Sequence, residues 1–302
     1  MEQLLSILHT TLRMTTPIAL AALGGLYAHR AGVLNVALEG MMLASAFFGV
    51  ITSFATGNIF LALFVGILAS VVLGFVFSFF GITLKGNLTI VGLAINTLVA
   101  GASSFILQVV FGQRGTFANQ KIVGLKELDI PILRNIPILG DIFNKHTPIV
   151  YLSLLVLVVV HFILYHTKLG VYIRTVGEKE DAAVSVGLPV NKLRYISVLI
   201  GSVLCGLAGI NIALENVTMF VENMTGGRGF IALAAIYSGR GTAIGTYVFS
   251  LLFGFADAMQ IRMQNIKIPG AFIQMIPYLS IIVVLSVIGL LNKRSRRVSD
   301  DV

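Results

Sequence analysis

The chain has little charge: Lys, Arg, Asp and Glu together fill 11% of its 302 positions, against 57% hydrophobic residues. Ordinary soluble domains carry about a quarter charged residues, so this composition excludes a water-soluble globule. Long apolar runs recur instead, several near the roughly 20 residues a helix needs to cross a hydrocarbon core of about 30 Å. They are too long for barrel strands, so the spans read as helices. Cysteine is nearly absent as well. Cys205 stands alone inside an apolar run, which rules out an intramolecular disulfide and argues against a metal site. Missing too are GxxxxGK, HExxH, GxSxG and any Cys/His cluster at metal-ligand spacing. Nothing therefore points to catalysis, and any ATP used must be bound by another chain. The segment after Met1 has neither a basic start nor a small-residue cleavage site, and reads as a retained span.

What charge there is has a pattern. The formal net charge is +8, but the basic residues sit in short loops and in a C-terminal cluster of Lys293, Arg294, Arg296 and Arg297. That is a topology signal rather than a nucleic-acid surface. Placing the C-terminal cluster and the polar stretch 169–194 on the cytoplasmic side also puts Arg30, Lys85 and Arg240 there. Arg228, Arg262 and Lys267 then fall in short outer loops, with the N-terminus outside and the C-terminus inside.

Apolar runs at 4–28, 35–54, 60–84, 90–111, 149–166, 196–214, 242–261 and 271–291 predict about eight full spans in one all-α transmembrane domain covering 1–302. The stretch 112–147 is broken by Pro131, Pro137 and Gly140 while keeping Ile130, Ile132, Leu133, Ile136, Ile138 and Leu139, and reads as a loop outside the cell lying on the membrane face. Residues 229–237 are apolar but only about half a span long. Gly226, Gly227 and Gly229 before this half-helix, and Gly239 and Gly241 after it, are breaks of the kind found where backbone lines a cavity. GVLNVAL at 32–38 and GFIALAA at 229–235 each follow a glycine break, a weak echo that fits an inverted repeat.

The polar island 169–194 departs from its surroundings. Glu178 to Val186 predicts a short amphipathic helix bracketed by Gly177 and Gly187 and stopped by Pro189. It reads either as a rigid knob for a partner or as a connector lying on the membrane surface. Ionisable groups inside spans are Arg13, Glu39 and Asp257, each costing about 2.5–3.5 kcal/mol at mid-membrane, so each must face a cavity or a partner. Arg13 and Asp257 fit mutual or interhelical pairing. Glu39, four residues after Asn35, either lines a pathway or braces the start of a broken helix. Asn96 either lines a pathway or makes an interhelical hydrogen bond. Phe230, Phe255 and Phe272 either stack on a ring-shaped solute or simply pack.

Three stretches, GVLNVALEGMMLASAF at 32–47, RTVGEKEDAAVSVGLPVNKLR at 174–194 and GGRGFIALAAIYSGR at 226–240, resemble the permease subunits of bacterial ABC importers for nucleosides and simple sugars, within the branched-chain amino acid and ribose permease superfamily. The likeness covers nearly the whole chain and is greatest to the shorter of two unlike permeases in nucleoside importers. It implies the inverted-repeat, type II-like importer fold in a bacterial cytoplasmic membrane. It further implies a second, unlike permease sharing the pore, a cytoplasmic ATPase carrying both nucleotide-binding halves, and a substrate-binding lipoprotein outside. ATP and Mg would sit on the ATPase, leaving this chain without a cofactor. The island becomes the coupling helix, with Gly177, Glu178, Ala182, Ala183, Gly187 and Leu188 at the matched positions. Asn35, Glu39, Asn96 and Phe230 are the candidate pathway residues. An ion-coupled secondary carrier, which would need no ATPase, is the alternative that Glu39, Arg13 and Asp257 leave open.

Overall fold

Helices begin and end in this chain where capping chemistry allows it. The computed structural model describes residues 2–131, 139–263, 272–273 and 275–300; Ile132, Leu133, Ile136, Pro137, Ile138, Lys267 and Pro269 lie outside the described residues. The first helix, α1 (Glu2–Arg30), ends in a turn at Gly32, whose φ is +76°. An unwound stretch, 33–37, leads into α2 (Leu38–Thr56), which stops at left-handed Gly57. Asn58 and Asn87 start α3 (Ile59–Ser78) and α4 (Leu88–Phe111) by accepting amide hydrogen bonds from the first turn. Between them α3 widens into a π turn, Phe79–Thr83.

After β1 (Thr116–Phe117) and the short α5 (Leu139–Phe143), Pro148 opens α6 (Pro148–His166). The island follows as α7 (Lys168–Glu178) and α8 (Glu180–Ser185). Next, α9 (Val190–Ile210) runs on as a π-helical segment, Asn211–Val217. Strand β2 (Phe220–Val221) then pairs antiparallel with β1, Thr116 opposite Val221 and Phe117 opposite Phe220. The chain closes with the half-length α10 (Arg228–Ser238), α11 (Ala243–Met263) and α12 (Ile276–Asp300).

Among the described residues six helical stretches are long and apolar enough to cross a membrane: 38–56, 59–83, 88–111, 148–166, 190–217 and 243–263. This is a multi-pass membrane protein, and these six stretches fall on six of the eight expected spans. The helix at the first expected span, α1, is less apolar than these six because it carries Thr10, Thr11, Arg13, Thr15 and Thr16. It tolerates them by lying at the centre of the bundle, packed by α6, α9, α10 and α11, with Ile18, Leu20, Leu23 and Leu26 wholly buried. The last expected span, 271–291, lies partly outside the described residues, and within it an apolar helical stretch runs over 276–287.

The periphery has the opposite character. Phe60, Phe64, Val72 and Phe75 on α3 and Ile90, Phe105 and Val109 on α4 are exposed, as side chains that face lipid are. The core is closed by small residues. Where α1 crosses α9, a Cβ on Gly24 would lie 2.7 Å from the Gly201 carbonyl, and one on Gly201 would lie 2.7 Å from the Gly24 carbonyl. The two backbones touch at one reciprocal point.

Two expected boundaries move. Asn35 lies outside α2, in the unwound stretch, because its side chain accepts the Ala37 amide at 3.0 Å and so holds a local turn instead of a helix. The i, i+4 helical pairing of Asn35 with Glu39 therefore does not form. In the island, Gly177 lies inside α7 and the break falls at Lys179, whose backbone is extended (φ −147°, ψ 95°).

Candidate functional site

The unwound stretch before α2 leaves backbone groups without helical partners, and α4 supplies them. Gly92 and Asn96, one turn apart on α4, face it together. Gly92 has no side chain because a Cβ there would meet the Val36 Cβ at 2.8 Å. Asn96 donates its amide to the Val36 carbonyl at 2.9 Å and accepts the Gly40 amide at 2.8 Å. One side chain thus satisfies an acceptor and a donor that the broken helix leaves unpaired.

Glu39 takes the opposite side of the break. One carboxylate oxygen accepts the Gly227 amide at 2.8 Å and the other the Gly229 amide at 2.6 Å, so it caps the N-terminus of α10. Gly229 lies directly against it, since a Cβ there would be 2.5 Å from the Glu39 nitrogen. The N-termini of α2 and α10 therefore converge on one carboxylate that is only 7% exposed. Two positive helix ends and two charge-assisted hydrogen bonds stabilise the anion where the membrane interior would not.

A second buried clamp sits at the other face of the bundle. Glu215, in the π-helical end of α9, accepts the Thr147 hydroxyl at 2.7 Å and the Ile149 amide at 3.0 Å, capping α6. Asn211 donates a short hydrogen bond to the same carboxylate. Arg13 closes the cluster by donating to the Asn216 side chain at 2.6 Å and its carbonyl at 2.8 Å. Asp257 pairs instead with Arg228, at 3.2 Å. Both charges have interhelical partners, but they are not each other's.

The island docks on the turn that feeds the first clamp. A Cβ on Gly177 would lie 2.1 Å from the Arg30 carbonyl and 2.8 Å from the Gly32 amide, so only glycine lets α7 approach. Arg194 bridges the two parts, donating to the Ala31 carbonyl at 3.3 Å and to both oxygens of Glu180, at 3.1 and 2.7 Å. Inside the island, Ala183, Val176, Val190 and Leu193 form a small core of their own, against which Leu188 packs. Glu178, Ala182 and Gly187 are exposed, and so are Val184 (59%) and Val186 (72%).

The chain matches the family described as branched-chain amino acid transport system / permease component over residues 7–285. It belongs to that family. This permease is 35% identical to the guanosine ABC transporter permease protein NupQ of Bacillus subtilis, over 96% of this chain and 94% of that one. It is 37% identical to the putative glucose ABC transporter permease protein TsgC13 of Haloferax volcanii, over 87% of this chain and 79% of the relative. Its fold is similar to PsaBC from Streptococcus pneumoniae, solved in complex with a Fab, with a TM-score of 0.50 and 13% identity over 90% of this chain and 89% of that one.

Of the candidate pathway residues, Asn35, Glu39 and Asn96 come together around the break before α2. Phe230 follows Gly229 on α10, and its side chain is 42% exposed. The permease's second clamp escaped the sequence reading, although its signal is there: LNVALEG at 34–40 and INIALEN at 210–216 share the Asn, Ala, Leu and Glu positions. The two matching stretches follow α1 and close α9, the two helices that cross at Gly24 and Gly201.

The Arg194 hydrogen bonds hold the Glu180 carboxyl below its ordinary value, with Lys85 adding to the effect. An unfolded glutamate titrates near ~4.3, so the pair contributes fully above that pH and fades as pH falls through the lower folded-state value. Amide exchange in α8, corrected for intrinsic rates, is expected to stay level from pH 7 to pH 5. Glu180→Gln is expected to speed it at pH 7 by no more than about fivefold, since the pair is solvent-accessible.

Proposed function

We propose that this permease imports nucleosides through a pathway shared with a second, unlike permease. A separate cytoplasmic ATPase with two nucleotide-binding halves binds ATP and Mg and drives the cycle, so this chain uses no cofactor of its own. A substrate-binding lipoprotein delivers solute from outside. The observation that carries the reading is the docking of the island, because Gly177 and Arg194 touch the same turn, at residues 30–32, that leads into the Glu39 clamp. A push on the island is thereby delivered to the interrupted helices α2 and α10.

In this reading 169–194 is the cytoplasmic coupling element, 112–147 the extracytoplasmic loop, the N-terminus outside and the C-terminus inside. Val184 and Val186 support the assignment. Two aliphatic side chains exposed in an otherwise charged segment outside the apolar core are surface waiting to be covered. Exchanging both for aspartate is expected to lower the ATPase recovered with the tagged importer about tenfold or more, as losing central apolar contacts does at other interfaces. Undiminished recovery would remove the island from the interface.

The solute reading follows the guanosine permease, which aligns along almost the entire chain. Import of a simple sugar is the second reading, favoured by the likeness to the glucose permease. Uptake of labelled guanosine and glucose into proteoliposomes holding the complete importer, with and without ATP inside the ATPase compartment, decides between them. The expected result is ATP-dependent uptake of the nucleoside.

A further inference from the structure

We propose that the cavity around the Arg228–Asp257 pair, between α10, α11 and α12, is a contact site for the hydroxyl groups of a neutral polyhydroxylated solute. The inference rests on the transport reading and names a place where solute is touched.

The cavity measures about 220 Å³ and is lined by Gly226, Arg228, Ile231, Asp257, Gln260 and Tyr278, with Pro277 at its edge. Its wall is polar where the surrounding helices are apolar. Asp257, inside the span α11, carries an insertion cost, and as structural glue a buried pair holds little advantage over apolar packing. Here the pair instead borders open space. The guanidinium is also incompletely used. Its Nε is buried without a hydrogen-bond partner among the described residues, and its bonds to the Met224 and Thr225 carbonyls are long, at 3.4 Å each. The partly exposed end of the guanidinium, held only by those long bonds and by Asp257, thus keeps donor capacity for something that enters.

The chemistry of the lining selects the class of ligand. Arg228 and Asp257 cancel in charge, so neither an anion nor a cation is favoured over a neutral molecule. A carboxylate accepts from hydroxyl hydrogens, a guanidinium donates to hydroxyl oxygens, and the Gln260 amide does both. Adjacent hydroxyls on a ring, as on ribose or a hexose, present that alternation. The Tyr278 hydroxyl is already committed to the Gly226 carbonyl at 2.9 Å and closes one side. Ile231, not Phe230, supplies the apolar wall. At 220 Å³ the space is smaller than the ~300–1,000 Å³ usual for a whole small-molecule site, which fits a half-site completed across a shared pathway.

The position ties the site to the clamp. Arg228 lies between Gly227 and Gly229, the two amides that Glu39 holds. Any movement of that N-terminus carries the guanidinium with it.

The test uses the complete importer in proteoliposomes, with the binding protein saturated. Four labelled probes are compared: guanosine, 2′-deoxyguanosine, glucose and 2-deoxyglucose. The two sources of a ring diol, nucleoside and free sugar, are thereby separated. Asp257→Asn is expected to lower uptake of the hydroxylated member about tenfold, the effect of one hydrogen bond to a charged group, and Gln260→Ala about fivefold, the effect of a neutral one. The deoxy analogue of the same pair should change far less, so the ratio within the pair collapses. A residue that only supports the fold would lower both members alike. An unchanged ratio in an active Gln260→Ala importer overturns the site while leaving the transport reading intact. If the wild-type importer moves none of the four probes, the transport reading fails and the site falls with it.

Discussion

Replacing Glu39 with alanine is expected to abolish uptake and to lower the thermal midpoint of the purified permease by roughly 5 °C or more. The substitution strands the Gly227 and Gly229 amides in a site 7% exposed, where each unmet donor costs ~1–3 kcal/mol. It also leaves two helix N-termini facing each other without the anion between them. Glu39→Gln retains one acceptor oxygen but turns an NH₂ group toward the other amide, and its loss should be intermediate. The midpoint can be followed through the only thiol of the chain, since Cys205 is wholly buried and reacts with a maleimide dye once the bundle opens. This measurement separates the two roles the sequence left open for Glu39. A residue that merely lined a pathway would change uptake and leave the midpoint where it was.

The second large effect is expected at Gly177. Valine there would place a Cβ 2.1 Å from the Arg30 carbonyl, more than 1 Å inside an ordinary contact of about 3.5 Å. Both partners are main chain, so the clash is relieved only by lifting α7 off the turn. Uptake should fall about tenfold or more while ATP hydrolysis persists, the signature of a lost coupling free energy rather than a lost enzyme. Gly101→Ala is the matched control. Nothing lies within 4 Å of a Cβ built there, and a helical Gly→Ala exchange is neutral or mildly favourable. Parallel loss of uptake and hydrolysis in Gly177→Val would mean that the subunits no longer assemble, and would count against the island acting as a transmitter.

How much of this was legible in the sequence depended on the range of the forces involved. Spans were legible because burial in lipid imposes a length and a composition on each run separately, and the half-helix 229–237 came within one residue of α10 at either end. Glycine also gave good guidance at Gly226, which lines a cavity. It misled at Gly177, which reads locally as a helix boundary but exists for a contact with a turn 145 residues earlier in the chain. Asn35 was misplaced for a related reason: its side chain bonds to a backbone amide two residues on, and apolar periodicity carries no trace of that bond. Partners of buried charges were the least legible. Arg13 and Asp257 invited pairing by opposite sign, yet sign says nothing about depth, and the fold gives each a nearer partner.

The crossing of α1 and α9 at Gly24 and Gly201 has a mechanical consequence. At 1.5 Å per residue the contact divides α1 into an arm of about 9 Å ending at Arg30 and one of about 33 Å ending at Glu2. At that point the two helices meet backbone to backbone, while α6, α10 and α11 pack the rest of α1 and must give way with it. The short arm carries the turn on which the island rests. If α1 pivots there as a rod, unbent at Pro17, a stroke of about 1 Å on the short arm becomes more than 3 Å at the distal end in the opposite sense. In the coupling reading such a lever would multiply displacement away from the side where force is applied.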